Sequence, residues 1–238
     1  MFYYLFPSLL TYNFVLLAAA VIPAIFLMVK VYRSDRLEKE STYMLWDMVK
    51  AGIFSSLIAL VLERVFGTLL DLTVTGKGLY DVLLYFGVVA LSEEGAKYFM
   101  LRRKSWNSEE FDCQYDGVVY AVFVSLGFAL WENISYVMHY GFATAVVRAV
   151  TAIPGHTSFG VFMGVFYGIA RKYQNRYEAG KSRWFRFLAV LVPVFLHGSY
   201  DYIASTEIGT VYFIGFIVLL FIVSYFLVVQ SSRRDRYI

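Results

Sequence analysis

Residues 78–101 read "GLYDVLLYFGVVALSEEGAKYFML". The run is long and apolar enough for a bilayer-spanning helix, which needs about 20 residues. Yet Glu93, Glu94 and Lys97 stand inside it. Each charge at the centre of a span costs about 2.5–3.5 kcal/mol on insertion scales, against about 0.3–0.6 kcal/mol gained for each Leu, Ile, Phe or Val. Three charges cost roughly 8–10 kcal/mol, and the apolar residues of the run return about half of that. Such a span inserts only if its charges face other helices or a wet cavity. Glu93 and Lys97 are spaced i,i+4 and can pair along one face. The second carboxylate is then left over.

The rest of the chain has the same character. Its 238 residues are 59% hydrophobic and only 16% charged, with a mean hydropathy of +0.60; soluble domains carry about 25% charged residues. The apolar blocks predict an all-α, polytopic bundle of seven spans, near 9–31, 48–70, 78–101, 116–139, 155–172, 184–204 and 208–230. No loop is long enough for a soluble domain, so residues 1–238 read as one membrane-embedded domain. The segment 142–154, "FATAVVRAVTAIP", is apolar but too short to cross. It reads as an interfacial or re-entrant segment, an eighth helix at most, or as an extension of the fifth span bent near Pro154.

The net charge of +3 is small, and the basic residues cluster at block ends. That pattern orients a membrane protein; it does not suit nucleic-acid binding. Basic loops follow the first, third, fifth and seventh spans, while the other connections hold only Lys77. The positive-inside rule therefore puts the N-terminus outside and the C-terminus in the cytoplasm. No Lys or Arg precedes Lys30, so the first block lacks the basic flank of a secretory signal and reads as a retained helix. The single cysteine, Cys113, excludes an intrachain disulfide; its polar loop "RRKSWNSEEFDCQYD" suggests exposure to solvent.

Polar groups recur at membrane depth. The fourth span carries "GFALWENISY", in which Phe128, Glu132 and Tyr136 form one stripe beside Asn133. The fifth opens with "PGHTSFG" and presents His156; the sixth carries "FLHGSYDYI", with His197 and Asp201 one turn apart. Several ionisable groups have plainer readings. Glu63 and Arg64 can neutralise each other near a span end. Arg148 can snorkel, His139 can lie at the interface, and Asp81 and Asp116 can cap or be solvated. His197 and Asp201 alone can form a structural pair. Four polar clusters on four spans are an expensive way to hold helices together, which favours a functional site.

Peptide hydrolysis needs an activated water, an oxyanion stabiliser and a proton donor for the leaving amine. Glutamate and histidine supply all three. The chain has no GxSxG, no HExxH and no cysteine within a span. A zinc site formed by Glu94, His156 and His197 is conceivable, but the absence of tight ligand spacing leads us to expect no obligatory metal. A proton- or ion-coupled transporter would also bury such groups, although no inverted repeat is visible. A non-catalytic scaffold is the third reading.

The ordered set "EEGAK", "YDGVVYAVFVSLGFALWENISY", the R…P.H…G pattern of 148–160 and "HGSYD" resembles the PrsW family, over roughly residues 78–204. These are bacterial glutamic-type intramembrane proteases related to the type II CAAX-processing endopeptidases. The resemblance puts an EExxK motif on Glu93, Glu94 and Lys97 and an FxxxE motif on Phe128 and Glu132, followed by Asn133 and Tyr136. It puts a lone histidine on His156 and an HxxxD motif on His197 and Asp201. It implies a cell-membrane protease, acting in the bilayer without nucleic acid, that makes the first, extracytoplasmic cut in a single-span anti-sigma factor. One glutamate would activate water while Lys97 holds the other, and pairing of Glu93 with Lys97 would leave Glu94 as the base. His156 would orient the water, His197 and Asp201 would serve the oxyanion, and Glu132 would support the site.

Overall fold

The computed structural model describes residues 5–206 and 209–238. Residues 1–4 and the expected start of the last span at Ile208 lie outside them. Among the described residues there is no β-strand. The chain runs through α1 (Leu5–Ser34), α2 (Thr42–Thr73), α3 (Lys77–Val82), a π-helical stretch (Leu83–Ala90), α4 (Leu91–Ser105), α5 (Asp116–Tyr140), α6 (Phe142–Val150), α7 (Ala152–Asn175), α8 (Ala179–Ser205) and α9 (Thr210–Arg233). The π stretch joins α3 to α4, so the described residues form seven long rods and the short α6, as the apolar blocks predict. Lipid offers the backbone no hydrogen-bond partners, and a helix satisfies its own. Six helices are long and apolar enough to cross a membrane; the rod that carries Glu93, Glu94 and Lys97 is not among them.

The segment 142–154 does not cross. Helix α6 has nine residues and rises about 13 Å, less than half of a hydrocarbon core of about 30 Å. Gly141 turns the chain into it at φ +84°, a conformation that favours glycine. The break between α6 and α7 falls at Thr151, with φ −120° and ψ −71°, not at Pro154. Pro154 sits in the first turn of α7, where its missing N–H costs no helix bond.

Helix α5 is the central post. Of its most apolar window, 78% is buried inside the protein, against 17% for α9, whose surface is left for lipid. Glycines bring its neighbours close. A Cβ at Gly52 of α2 would lie 2.1 Å from the Val124 carbonyl oxygen of α5. A Cβ at Gly164 of α7 would lie 2.4 Å from the Gly117 carbonyl oxygen. Small residues at helix crossings let backbones approach where packing is the main source of attraction.

The basic segments gather at one end. The Ser232 hydroxyl donates to the Ser34 carbonyl, and the Gln114 and Ile238 amides donate to the Arg236 and Asp112 carbonyls at 3.1 and 2.7 Å. Arg171 and Arg186 lie over the Trp106 ring at 5.8 and 5.2 Å. The C-terminal tail thus folds across the loop before α5, which changes one expectation and decides another. Cys113 is only 1% exposed and bridges to Tyr237 rather than facing solvent. Asp116 is 2% exposed and accepts the Cys113 amide at 2.6 Å at the start of α5, the capping one of its two expected roles. The cover comes from residues more than a hundred positions away, which no local pattern reveals.

Candidate active site

The polar groups of α4, α5, α7 and α8 converge, joined by Arg148 of α6. The π stretch helps to bring them together. A Cβ at Gly198 would lie 2.5 Å from the Phe86 ring, so only glycine lets α8 press against the π stretch beside His197. Wide π turns also rotate the helix after them, here the start of α4 with both glutamates.

Lys97 is the hub and is wholly buried. Its ammonium donates to Glu94 Oε1 at 2.7 Å and Glu93 Oε2 at 3.0 Å. It also lies 3.2 Å from His156 Nδ1 and 3.9 Å from the centre of the Phe128 ring. An ammonium can only donate, so His156 accepts at Nδ1 and its proton sits on Nε2. That N–H donates to Glu132 Oε2 at 2.9 Å. His197 donates from Nδ1 to Glu94 Oε1 at 2.9 Å, and its Nε2 lies 3.3 Å from Asp201 Oδ2. The two histidine rings stand edge to face at 5.5 Å, and Phe159 stacks on His197 at 4.8 Å.

Arg148 anchors the α5 stripe. Its guanidinium lies 3.1 Å from Glu132 Oε2, donates from Nε to Asn133 Oδ1 at 2.7 Å and covers the Tyr136 ring at 4.3 Å. Asn133 in turn donates to the Ala20 carbonyl of α1 at 2.7 Å. The snorkelling expectation for Arg148 does not hold, because Glu132 and Asn133 keep its head inside the bundle. Only its place eight residues before His156 hinted at this.

These groups open on a cavity of about 760 Å³. Glu93, Glu132, His156, His197 and Asp201 line it, with aromatic walls that include Trp131 and Tyr200. Glu63 lines it as well and makes no ion pair with Arg64. The expected neutral pair fails because adjacent residues on a helix diverge by about 100°. Glu94 and Lys97 sit behind the wall, each 0% exposed.

The family model described as "PrsW family intramembrane metalloprotease" matches residues 40–228. The chain belongs to the PrsW family. Similar proteins include Protease PrsW of Geobacillus kaustophilus, 32% identical over 206 residues that cover 87% of each chain. Protease PrsW of Bacillus subtilis is 33% identical over 202 residues, covering 84% of this chain and 87% of the relative. Protease PrsW of Clostridioides difficile is 34% identical over 194 residues, covering 79% and 78%. No solved structure gives a significant match. This PrsW-family chain is accordingly a membrane-embedded protease, and its convergent polar groups are the candidate catalytic centre.

The description of the PrsW family as metalloproteases raises the question of an ion. Glu93, Glu94 and His156 offer donor atoms within 4.8 Å of one another. This set has Glu93 where the sequence suggested His197, which instead turns both nitrogens to carboxylates. The ammonium of Lys97 holds all three donors at 2.7–3.2 Å. A divalent ion at that point would face a like charge at bonding distance. As arranged, these residues fit the lysine and not a metal. Glu94 Oε2 is buried without a hydrogen-bond partner.

The premise that Glu94 is the freer carboxylate also fails. Lys97 bonds both glutamates, and Glu94 is the deeper and the more tightly held. Glu93 meets the cavity and gives Lys97 only one oxygen.

Proposed function

We propose that this chain is a glutamate-dependent endopeptidase in which Glu93 is the general base. The observation that carries the reading is that Glu93 lines the cavity while Lys97 holds just one of its oxygens. The free oxygen takes a proton from water as the water oxygen attacks the peptide carbonyl carbon. The carbonyl π electrons move to oxygen. The Arg148 guanidinium, which lines the cavity, is the donor suited to that oxyanion, with His197 Nε2–H able to join it only by sharing its proton with Asp201. On collapse the C–N bond breaks, and the proton on Glu93 passes to the leaving amine, which regenerates the carboxylate.

The remaining groups hold these in place. Glu94 and Lys97 fix Glu93 and His197, Asp201 orients His197, and Glu132 with Arg148 orients His156 beside the attacking water. Phe128, Asn133 and Tyr136 pack or hydrogen-bond around this frame. The cavity suits an unwound segment of a single-span membrane protein, of the anti-sigma type implied by the motifs. The basic segments gathered at one end favour a cytoplasmic C-terminus, with the N-terminus outside.

The test is cleavage of a panel of single-span substrates by purified protein in detergent, with and without chelator. Cleavage that survives the chelator and is lost in Glu93→Gln supports the reading. Loss on chelation, with recovery on adding zinc, would replace it with a metal-dependent one.

A further inference from the structure

Away from the cavity, a second set of carboxylates lies where the 35–41 loop, the start of α5 and the C-terminal tail meet. Asp35, Glu40 and Asp116 are 4%, 7% and 2% exposed. Each offers an oxygen within 4.8 Å of the others. Three donors reach them: the Tyr120 hydroxyl donates to Glu40, the Cys113 amide donates to Asp116 at 2.6 Å, and Asp116 shares a proton with Glu40. Both carboxylate oxygens of Asp35 are buried without a well-aligned hydrogen-bond partner, and the nearby Arg36 and Leu37 amides favour its charged form only in part. Lys39, the cation that acts on Asp35, is exposed and gives its ammonium to the Tyr32 and Asp35 backbone carbonyls at 2.7 and 2.5 Å. Asp235 adds a fourth acid beside them, with its Oδ2 buried and unpartnered.

Like charges a few ångströms apart in a partly dry site repel strongly, and an unpaired buried carboxylate is costly. The proton shared by Asp116 and Glu40 relieves part of this repulsion, and a cation entering the site relieves the rest. All the available donors are hard oxygens, which suits Mg²⁺ or Ca²⁺ rather than a soft ion. The neighbouring sulfur does not compete, because burial and the Asp116 charge push the Cys113 thiol up and keep it protonated. In contrast to the Glu93, Glu94 and His156 set, no ammonium stands at the centre of this one.

We propose that Asp35, Glu40 and Asp116 form a site for a hard divalent cation, which pins the 35–41 loop and the C-terminal tail to the start of α5. The site is independent of the protease centre and acts on stability.

The test uses the full-length protein in detergent, stripped with EDTA and desalted. Mg²⁺, Ca²⁺ or Mn²⁺ is then added while thermal unfolding is followed. The expected result is a saturable rise in Tm of roughly 5 °C at a hundredfold excess over Kd. Calorimetric titration should show one bound ion per chain. Asp35→Asn should lose both the rise and the ion. It removes a charge without removing a hydrogen bond, and its own unfolding transition reports that it has folded. Glu93→Gln should keep both. As a second readout, Tb³⁺ emission excited through tyrosine should appear in the wild type and vanish in Asp116→Asn, because Tyr120 sits on Glu40. The proposal is overturned if no ion raises Tm, or if Asp35→Asn responds like the wild type. It is also overturned if Glu93→Gln alone loses the response, since the ion then lies in the protease centre.

Discussion

At the centre of the bundle Glu93, Glu94, Glu132 and Asp201 each face a base, whereas at the loop end three acids face one another. Glu93 and Glu94 share Lys97, Glu132 has Arg148, and Asp201 has His197. Asp35, Glu40 and Asp116 have a hydroxyl, an amide, one peripheral lysine and a proton shared between Asp116 and Glu40. Burial makes the two sets behave differently. A balanced set is held by its own partners and can stand preorganised around a cavity. An unbalanced set needs a cation or a proton from outside, so it responds to its surroundings.

The largest expected effect bears on the first half of that contrast. Glu93→Gln should lower cleavage by about 10²–10⁴-fold, the usual weight of a general acid–base group. Tm should stay close to wild type, because the new side-chain amide can still accept from Lys97. Glu94→Gln should cost activity together with Tm, since Glu94 is wholly buried between Lys97 and His197. Cleavage and thermal unfolding measured on both variants decide the matter; full turnover in Glu93→Gln would move the base elsewhere.

Next comes Lys97→Met. It strands two carboxylates at the centre and should cost about 3–5 kcal/mol, the usual penalty for breaking a buried pair. Adding Glu94→Gln should recover part of that loss. If Lys97→Met unfolds like the wild type, the centre is not balanced by lysine and the contrast breaks.

A smaller effect of the opposite sign is expected at the loop end. In EDTA, Glu40→Gln should raise Tm, because it removes one of several mutually repelling acids while the glutamine carbonyl still accepts from Tyr120. With Mg²⁺ or Ca²⁺ at saturation the same variant should fall below wild type. The same sign in both conditions would make the two regions alike.

The smallest effect is in pH. Burial, together with Glu110 and Asp35, pushes the Glu40 carboxyl from 4.5 up to about 7, despite hydrogen bonds from Tyr120 and Asp116. Between about pH 4.5 and 7 the folded chain keeps on Glu40 a proton that the unfolded chain has lost, so Glu40's contribution to stability falls as pH rises through that window. A scan of Tm in EDTA should show the fall in wild type and a shallower one in Glu40→Gln.

Much of this was legible in the residues. Apolar runs of bilayer length have one way to satisfy their backbones in lipid, so the helical rods follow from composition. The cost of burying Glu93, Glu94, Lys97, Glu132, His156, His197 and Asp201 separately also required them to meet, because charges in a membrane need partners. Their motif order named the family before any distance was known. The burial of Cys113, the exposure of Glu63 to the cavity and the inward pairing of Arg148 were not legible, because their surroundings come from distant segments.

Direction, by contrast, came from tertiary packing alone. Two adjacent glutamates on one helix point about 100° apart, and no sequence pattern says which of them meets the cavity. That depends on the turn of the π stretch and on how closely α8 presses in at Gly198. Likewise, whether Asp35 is solvated depends on a C-terminal tail that folds back across the loop before α5. Sequence sets which groups must be compensated, because the energy of burial is a property of the group. Structure sets what compensates them, because partnership is a matter of distance.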